Sequence, residues 1–496
     1  MLTPTKIPAR AVREYYARMA ALSRDRSRWY GAGARRLGKG LADQVDADEL
    51  YALCAIGPAA AAAIEAGRGE SLRYVISGIE AHQAKLERPR VAAYDLTVIA
   101  PKSWGMVYEG HSDQRGREAA LLSHHLAVND AARYIQDKAG LSRITVGGKV
   151  SLVPGEMMFA VFTHFTNRNL EPLLHSHVLI PNAVRCEDGT WRALEANELY
   201  DWYMAAGAVY RASLREHMGR LTNVEFDIAD DGWRCEIKGL AQWKGPDGSP
   251  LLPAFSTRHA ECEDERQRLE DASPDGTISP KVSRSLGVRT RKAKDFGDGD
   301  ARFDEISEEF RTNLEEVWKL GPEQWREILT AYDEPRPDQR VAGLWLRMPR
   351  HLEAYGEIPV IETGAELVDY MARVLFDEGG GRIKEGSLSG RAYVAAQDIE
   401  AAAYNAFGGF VEGEVLTEAI AGLIRGEGSD RKLALAPLVP ALFLRGMLVK
   451  PKRVPIRYYA TGGVLNSEAR VLELAAKPPA SAVLDDQELS SCLFIW

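Results

Sequence analysis

The chain has 496 residues, 45% of them hydrophobic and 27% charged, with a formal net charge of −9. That balance is ordinary for a globular protein of two to four domains. It excludes a membrane protein, because no apolar run approaches the roughly 20 residues a spanning helix needs. The opening MLTPTKIPARAVREYY lacks a charged-then-apolar signal pattern, so a cytoplasmic location is expected.

Taken in chain order, residues 10–22 read as a short helix, with Tyr15, Met19 and Leu22 spaced by three or four. The glycine-punctuated WYGAGARRLGKG follows. YDLTVIA (94–100) alternates as a strand ended by Pro101, and 117–138 reads as a long helix. The centre is strand-rich: MMFAVFTHFT (157–166) and LLHSHVLIPNAV (173–184) flank the polar loop NRNLEP. Asp188-Gly189 and Asp231-Gly232 mark further hairpin turns. Residues 198–221 return to a helical pattern. From 246 to 300 the chain is rich in Pro, Gly and charge, and a loop-dominated stretch is expected. Helices dominate beyond 303. The fold class is therefore α+β, with a central antiparallel sheet, flanking helices and a mainly helical C-terminal region.

Five cysteines (Cys54, Cys186, Cys235, Cys262 and Cys492) stand singly without a CxxC pair. This argues against a disulfide framework or a cysteine zinc site. Net acidity opposes non-specific nucleic-acid binding, yet basic residues gather in 1–42 and again at Lys281, Arg284, Arg289, Arg291, Lys292 and Lys294. Local basic surfaces bind phosphate backbones.

Chemistry concentrates in three histidines. His175 and His177 are two apart, so on a strand both rings share one face. His164 precedes them across a short loop, and an antiparallel hairpin would bring all three together. Three neutral imidazoles leave coordination positions open, the layout of a catalytic metal site. An isolated HxH is also common as surface decoration. The adjacent pair His124 and His125 reads as one packed and one exposed helix residue.

FTHFTNRNLEPLLHSHVLIPNAV, followed by EDGTWRAL, resembles the three-histidine motif of the MobF-type conjugative relaxases. YDLTVIAPKS, WYGAGARRLGKG, the YY at 15–16, FSTR (255–258) and TRKAK (290–294) resemble further family segments in the same order. The resemblance covers roughly residues 10–320. It implies an HUH-type relaxase palm that nicks one DNA strand at a plasmid transfer origin by metal-assisted tyrosine transesterification, leaving a 5′-phosphotyrosyl link. Tyr15 would be the nucleophile, with Tyr16 a second catalytic tyrosine. Asp95 would orient a ligand histidine, and His164, His175 and His177 would hold a divalent cation, Mg2+ or Mn2+ in this family. By ligand softness alone, three imidazoles suit zinc, manganese, cobalt or nickel better than magnesium. Arg168, Lys102, Trp29, Arg291, Lys292 and Lys294 would contact DNA, with Trp29 and Trp104 stacking on unpaired bases. The partners implied are transfer-origin DNA with an inverted-repeat hairpin, an origin accessory protein and a coupling protein, without membrane insertion.

Two departures stand out. The stretch ARMAALSRDRSR after Tyr15-Tyr16 holds no second tyrosine pair, so a second strand transfer by one protomer is in doubt. No GxxxxGK[ST] occurs, so no ATP is expected; Lys149 in VGGKVS is a weak near miss. The expected division is a relaxase domain at 1–302, a helical region of unassigned role at 303–456, and a truncated lead-in to a helicase at 457–496. Two alternatives remain: a catalytically idle DNA-binding accessory or repressor, and a histidine-based hydrolase unrelated to DNA.

Overall fold

The structure is a computed structural model. It describes residues 2–16, 27–68, 91–167, 169–229, 233–273, 277, 303–337, 340–376, 388, 394–426, 433–435 and 458–461. The chain forms two compact units, one of 1–210, 217–227 and 234–336, the other of 211–216, 228–233 and 337–496.

The first unit is built on an antiparallel sheet of five strands: β1 (Leu2–Pro8), β2 (Ser27–Tyr30), β3 (Val91–Ile99), β6 (Phe159–Thr166) and β7 (Pro172–Pro181). Their order is β1-β3-β7-β6-β2. A second sheet joins β4 (Leu141–Val146), β5 (Lys149–Glu156), β8 (Val184–Cys186) and β9 (Trp191–Arg192). Gly147 and Gly148, both at positive φ, make the two-residue turn between β4 and β5. VGGKVS is thus a hairpin tip.

Period-two patterning decides which face of the main sheet each residue serves. On one face lie Trp29, Ala160, Phe162 and Leu179. They pack with Val12 and Tyr16, and with Leu50 and Leu53 of the helix at Ala47–Ile56. Each large side chain buried here stabilises by roughly 1.5–3 kcal/mol. Against the other face run α-helices labelled here in chain order: α1 (Lys102–Gly110), α2 (Gln114–Ala139) and α3 (Ala196–Leu221). Gly105 lets α1 lie directly on the start of β7, where a Cβ would stand 3.0 Å from the Leu174 amide nitrogen. Any larger residue would push that strand.

The expected helix at 10–22 is instead one α-turn, Ala9–Ala11, continuing as a π-helical turn over Val12–Tyr16; 17–26 lie outside the described residues. The extra residue per turn in a π-helix resets which side chains face the sheet. The expected loop-dominated stretch after 246 is corrected too, because Thr257–Asp271 (α4) is a helix of 15 residues. It has no apolar stripe to betray it. Arg266 pairs with Glu263 and Glu270, Arg268 with Glu265, all at helical spacing. Glu171, from the loop before β7, accepts the Thr257 amide at 2.9 Å. Asp231-Gly232 lies outside the described residues, but the flanking strands Phe226–Ile228 and Cys235–Ile237 pair as a hairpin would.

Two more helices, α5 (Phe303–Glu316) and α6 (Pro322–Ile328), belong to this first unit, which runs on to Arg336. In the second unit, α7 (Gly364–Phe376), α8 (Ala396–Phe407) and α9 (Gly413–Arg425) bury Leu367, Met371, Ile399, Phe407, Leu416 and Leu423. Trp345 lies parallel to Phe407 with centroids 6.4 Å apart. Among the described residues no helix is long and apolar enough to cross a membrane. Among the described residues Cys54, Cys186, Cys235 and Cys262 form no disulfide.

Candidate active site

The β6–β7 register sets His164 directly opposite His175, and His177 opposite Phe162. Alternation then puts all three imidazoles on one face. Their centroids form a near-equilateral triangle: 5.3 Å from His164 to His175, 5.7 Å from His164 to His177 and 5.5 Å from His175 to His177. Three imidazoles bound to one ion through nitrogens ~2.0–2.1 Å away would have centroids about 5 Å apart. The spacing fits a cation. The ring planes do not yet, because His164 and His175 lie nearly face to face at 25°. Among the described residues no three His, Cys, Asp or Glu side chains already surround one point as ligands would. Ring rotation is what a bound ion requires here.

The tautomers suit that role. His177 Nδ1 stands 2.7 Å from Asp95 Oδ2, and His175 Nδ1 2.8 Å from the Leu173 carbonyl. Carboxylate and carbonyl only accept, so both Nδ1 atoms carry the proton, and Nε2 is the atom through which either ring would coordinate a cation. Asp95 itself is 4% exposed, on β3 beside β7. Its Oδ2 accepts at 2.7 Å from the Tyr16 hydroxyl, and Thr97 Oγ1 is 3.3 Å away.

The two tyrosines thus have different surroundings. Tyr16 is buried within the core, and burial, reinforced by the charge and hydrogen bond of Asp95, pushes its phenol far above the ordinary range. Its oxygen is a poor nucleophile. Tyr15 is only half-buried, with its ring edge-on to His177 at a centroid distance of 6.0 Å. The π-helical turn sets both rings edge-on to His177, Tyr15 at 6.0 Å and Tyr16 at 6.1 Å, and buries only Tyr16.

Other expected contacts land elsewhere. Trp29 and Trp104 are both fully buried, which corrects the expectation that they stack on bases; each fills the core of one sheet face. Lys102 is half-buried, with Nζ donating to the Pro172 carbonyl at the start of β7 at 2.7 Å. Arg168, Arg291, Lys292 and Lys294 lie outside the described residues. Of the pair His124 and His125, expected to be one packed and one exposed, His124 is buried and His125 is half-buried, with Nε2 3.2 Å from Thr163 Oγ1 and its pKa pushed down by burial to about 3. Thr97 was not singled out by any motif; its register opposite His177 is what reveals it.

A family model described as TrwC relaxase matches residues 5–317. The multifunctional conjugation protein TraI of Escherichia coli strain K12 is 28% identical over 292 residues, covering 56% of this chain. The match spans 14% of that relative's length. Two solved structures of the conjugative relaxase TrwC with oriT DNA, one metal-free and one metal-bound, share the fold. Both have a TM-score of 0.50, at 22% and 21% identity, covering 64% of this chain and 98% of theirs. The family match extends over well more than half of the sequence and takes in every residue of the histidine triangle and the tyrosine turn. The chain belongs to the TrwC relaxase family.

Proposed function

We propose that this chain cuts one strand of transfer-origin DNA by transesterification, with Tyr15 as nucleophile and His164, His175 and His177 holding a divalent cation on an HUH-type palm. One observation carries the reading: Tyr15, half-exposed, stands edge-on to His177 beside a triangle of three imidazoles. A cation bound there would polarise the scissile phosphate and balance the charge that grows on it.

The chain's own residues do the rest. Asp95 keeps the proton of His177 on Nδ1, and Tyr16 and Thr97 fix Asp95. The Tyr15 oxygen forms a bond to phosphorus as the P–O3′ bond breaks. The phenol gives up its proton and the departing 3′ oxygen takes one up. One phosphodiester replaces another, so the 5′ end stays linked to the protein and no energy source is consumed.

The DNA-binding reading rests on shape. The β4–β5 ribbon is at the free edge of its sheet, with Val146 66% and Val150 56% exposed and Lys149 beside them. A two-stranded ribbon fits the major groove of a duplex, here the stem of an origin hairpin. The catalytic unit is taken to run to Arg336, where the first compact unit ends.

The test is incubation with a single-stranded origin oligonucleotide and Mn2+, followed by a denaturing gel. A protein–DNA adduct that disappears in EDTA and in Tyr15→Phe is expected. Binding without any adduct would leave a DNA-binding accessory protein in its place, and an adduct that survives Tyr15→Phe would unseat this nucleophile.

A further inference from the structure

Behind the histidine triangle, on the opposite face of the same two strands, lies a buried polar chain. Thr163 and Ser176 are a cross-strand pair whose hydroxyls are 3.0 Å apart. In sequence they sit beside the triad, Thr163 next to His164 and Ser176 between His175 and His177. His124 of α2 places Nε2 2.8 Å from Ser176 Oγ and Nδ1 2.8 Å from the Tyr210 hydroxyl of α3. His125 Nε2 closes the other end on Thr163 at 3.2 Å. Ser176, His124 and Tyr210 are 0% exposed and Thr163 is 2% exposed.

Chemistry makes this arrangement unusual. Most of the other residues that α2 buries are small and apolar, among them Ala120, Ala127, Val128 and Ala131. Apolar residues would serve the packing equally well, because a buried polar chain recovers its desolvation cost only when every member is bonded. What it adds is direction. A hydrogen bond fixes a strand's pleat and its distance from a helix, whereas apolar contact tolerates sliding. The bonded pair lies midway along the hairpin segment whose other face carries the three rings.

Resting on the proposed cation site, we infer that Thr163, Ser176 and His124 are positioning residues: they pin β6 to β7 and both to α2, so that the three imidazoles keep the spacing one ion requires. They touch neither ion nor DNA. Their effect passes through the backbone to the rings on the far side.

Isothermal titration of the DNA-free protein with Mn2+, together with nicking kinetics, tests this. Thr163→Val keeps the side-chain shape and removes the hydroxyl; Thr163→Ser keeps the hydroxyl. Thr163→Val and Ser176→Ala are expected to bind Mn2+ about tenfold more weakly, as loss of an outer-shell partner does, and to lower kcat with KM for the oligonucleotide unchanged. Thr163→Ser should match the wild type. Unchanged Mn2+ affinity in both Thr163→Val and Ser176→Ala would overturn the inference. So would a Thr163→Ser variant as weak as Thr163→Val, since packing and not bonding would then be the cause. Should one variant fail to fold, the other carries the comparison. If the wild type itself takes up no Mn2+, the functional reading fails and this inference falls with it; if the wild type binds and the variants match it, only this inference falls.

Discussion

The Tyr16 hydroxyl and His177 Nδ1 meet on the same oxygen of Asp95, each 2.7 Å away. Adjacent tyrosines therefore differ, one half-buried beside His177 and one buried and holding a carboxylate. Tyr15→Phe should abolish the covalent DNA adduct while leaving thermal stability unchanged. Tyr16→Phe should keep the adduct, form it more slowly, and lose about 1.5–3 kcal/mol of stability with a hydrogen bond to a charged group. Adduct gels read beside urea unfolding separate the two; a Tyr16→Phe protein with no adduct and full stability would refute the division.

Asp95→Asn retains the shape of the side chain but makes a weaker acceptor for His177. Mn2+ affinity, measured by calorimetry without DNA, should fall about 10–100-fold. An affinity equal to wild type would mean that Asp95 does not orient a ligand.

Glu109 of α1 is 1% exposed, and neither carboxyl oxygen has a hydrogen-bond partner. Burial raises its pKa to about 8, with Lys102 and Arg311 pulling partly the other way. Below the unfolded value near 4.5 both states hold the proton. Between there and about 8 only the folded state holds it, so unfolding releases a proton and stability falls as pH rises. Above that the contribution is constant. Urea unfolding from pH 5 to 8 should show this decline, worth a few kcal/mol at most, and Glu109→Gln should flatten it and be the more stable protein at pH 8. A parallel pH profile in the variant would assign the decline to other groups.

Trp29 is fully enclosed in the core beneath the tyrosine turn. Trp29→Ala should therefore destabilise by about 3–5 kcal/mol, and the protein that remains folded should bind oligonucleotide with unaltered affinity. Weaker binding at full stability would restore a stacking role.

The histidine hairpin was readable because its information is local: period-two spacing and a short loop suffice to place His164, His175 and His177 on one face. The long helices at Gln114–Ala139 and Ala196–Leu221 were readable for the same reason, in the helical period. What was hidden depends on distant partners. Trp29 looks like an exposed aromatic near basic residues until Phe162 and Leu50 cover it. The helix at Thr257–Asp271 shows only charge, since ion pairs and not a buried stripe hold it. Nothing near Ser176 in the sequence announces His124, which arrives from a separate helix 52 positions away.

The strand Leu2–Pro8 is the outermost of its sheet, joined along one side only, to β3, and the tyrosine turn begins at the very next residue. Ile7, Val12 and Tyr16 of this segment are nonetheless core residues, and Tyr16 reaches Asp95 behind His177, so the amino terminus is part of the scaffold that holds the histidines. Trimming it would take away Tyr15 and Tyr16 together, leaving Asp95 without its phenol partner and the sheet face without part of its core.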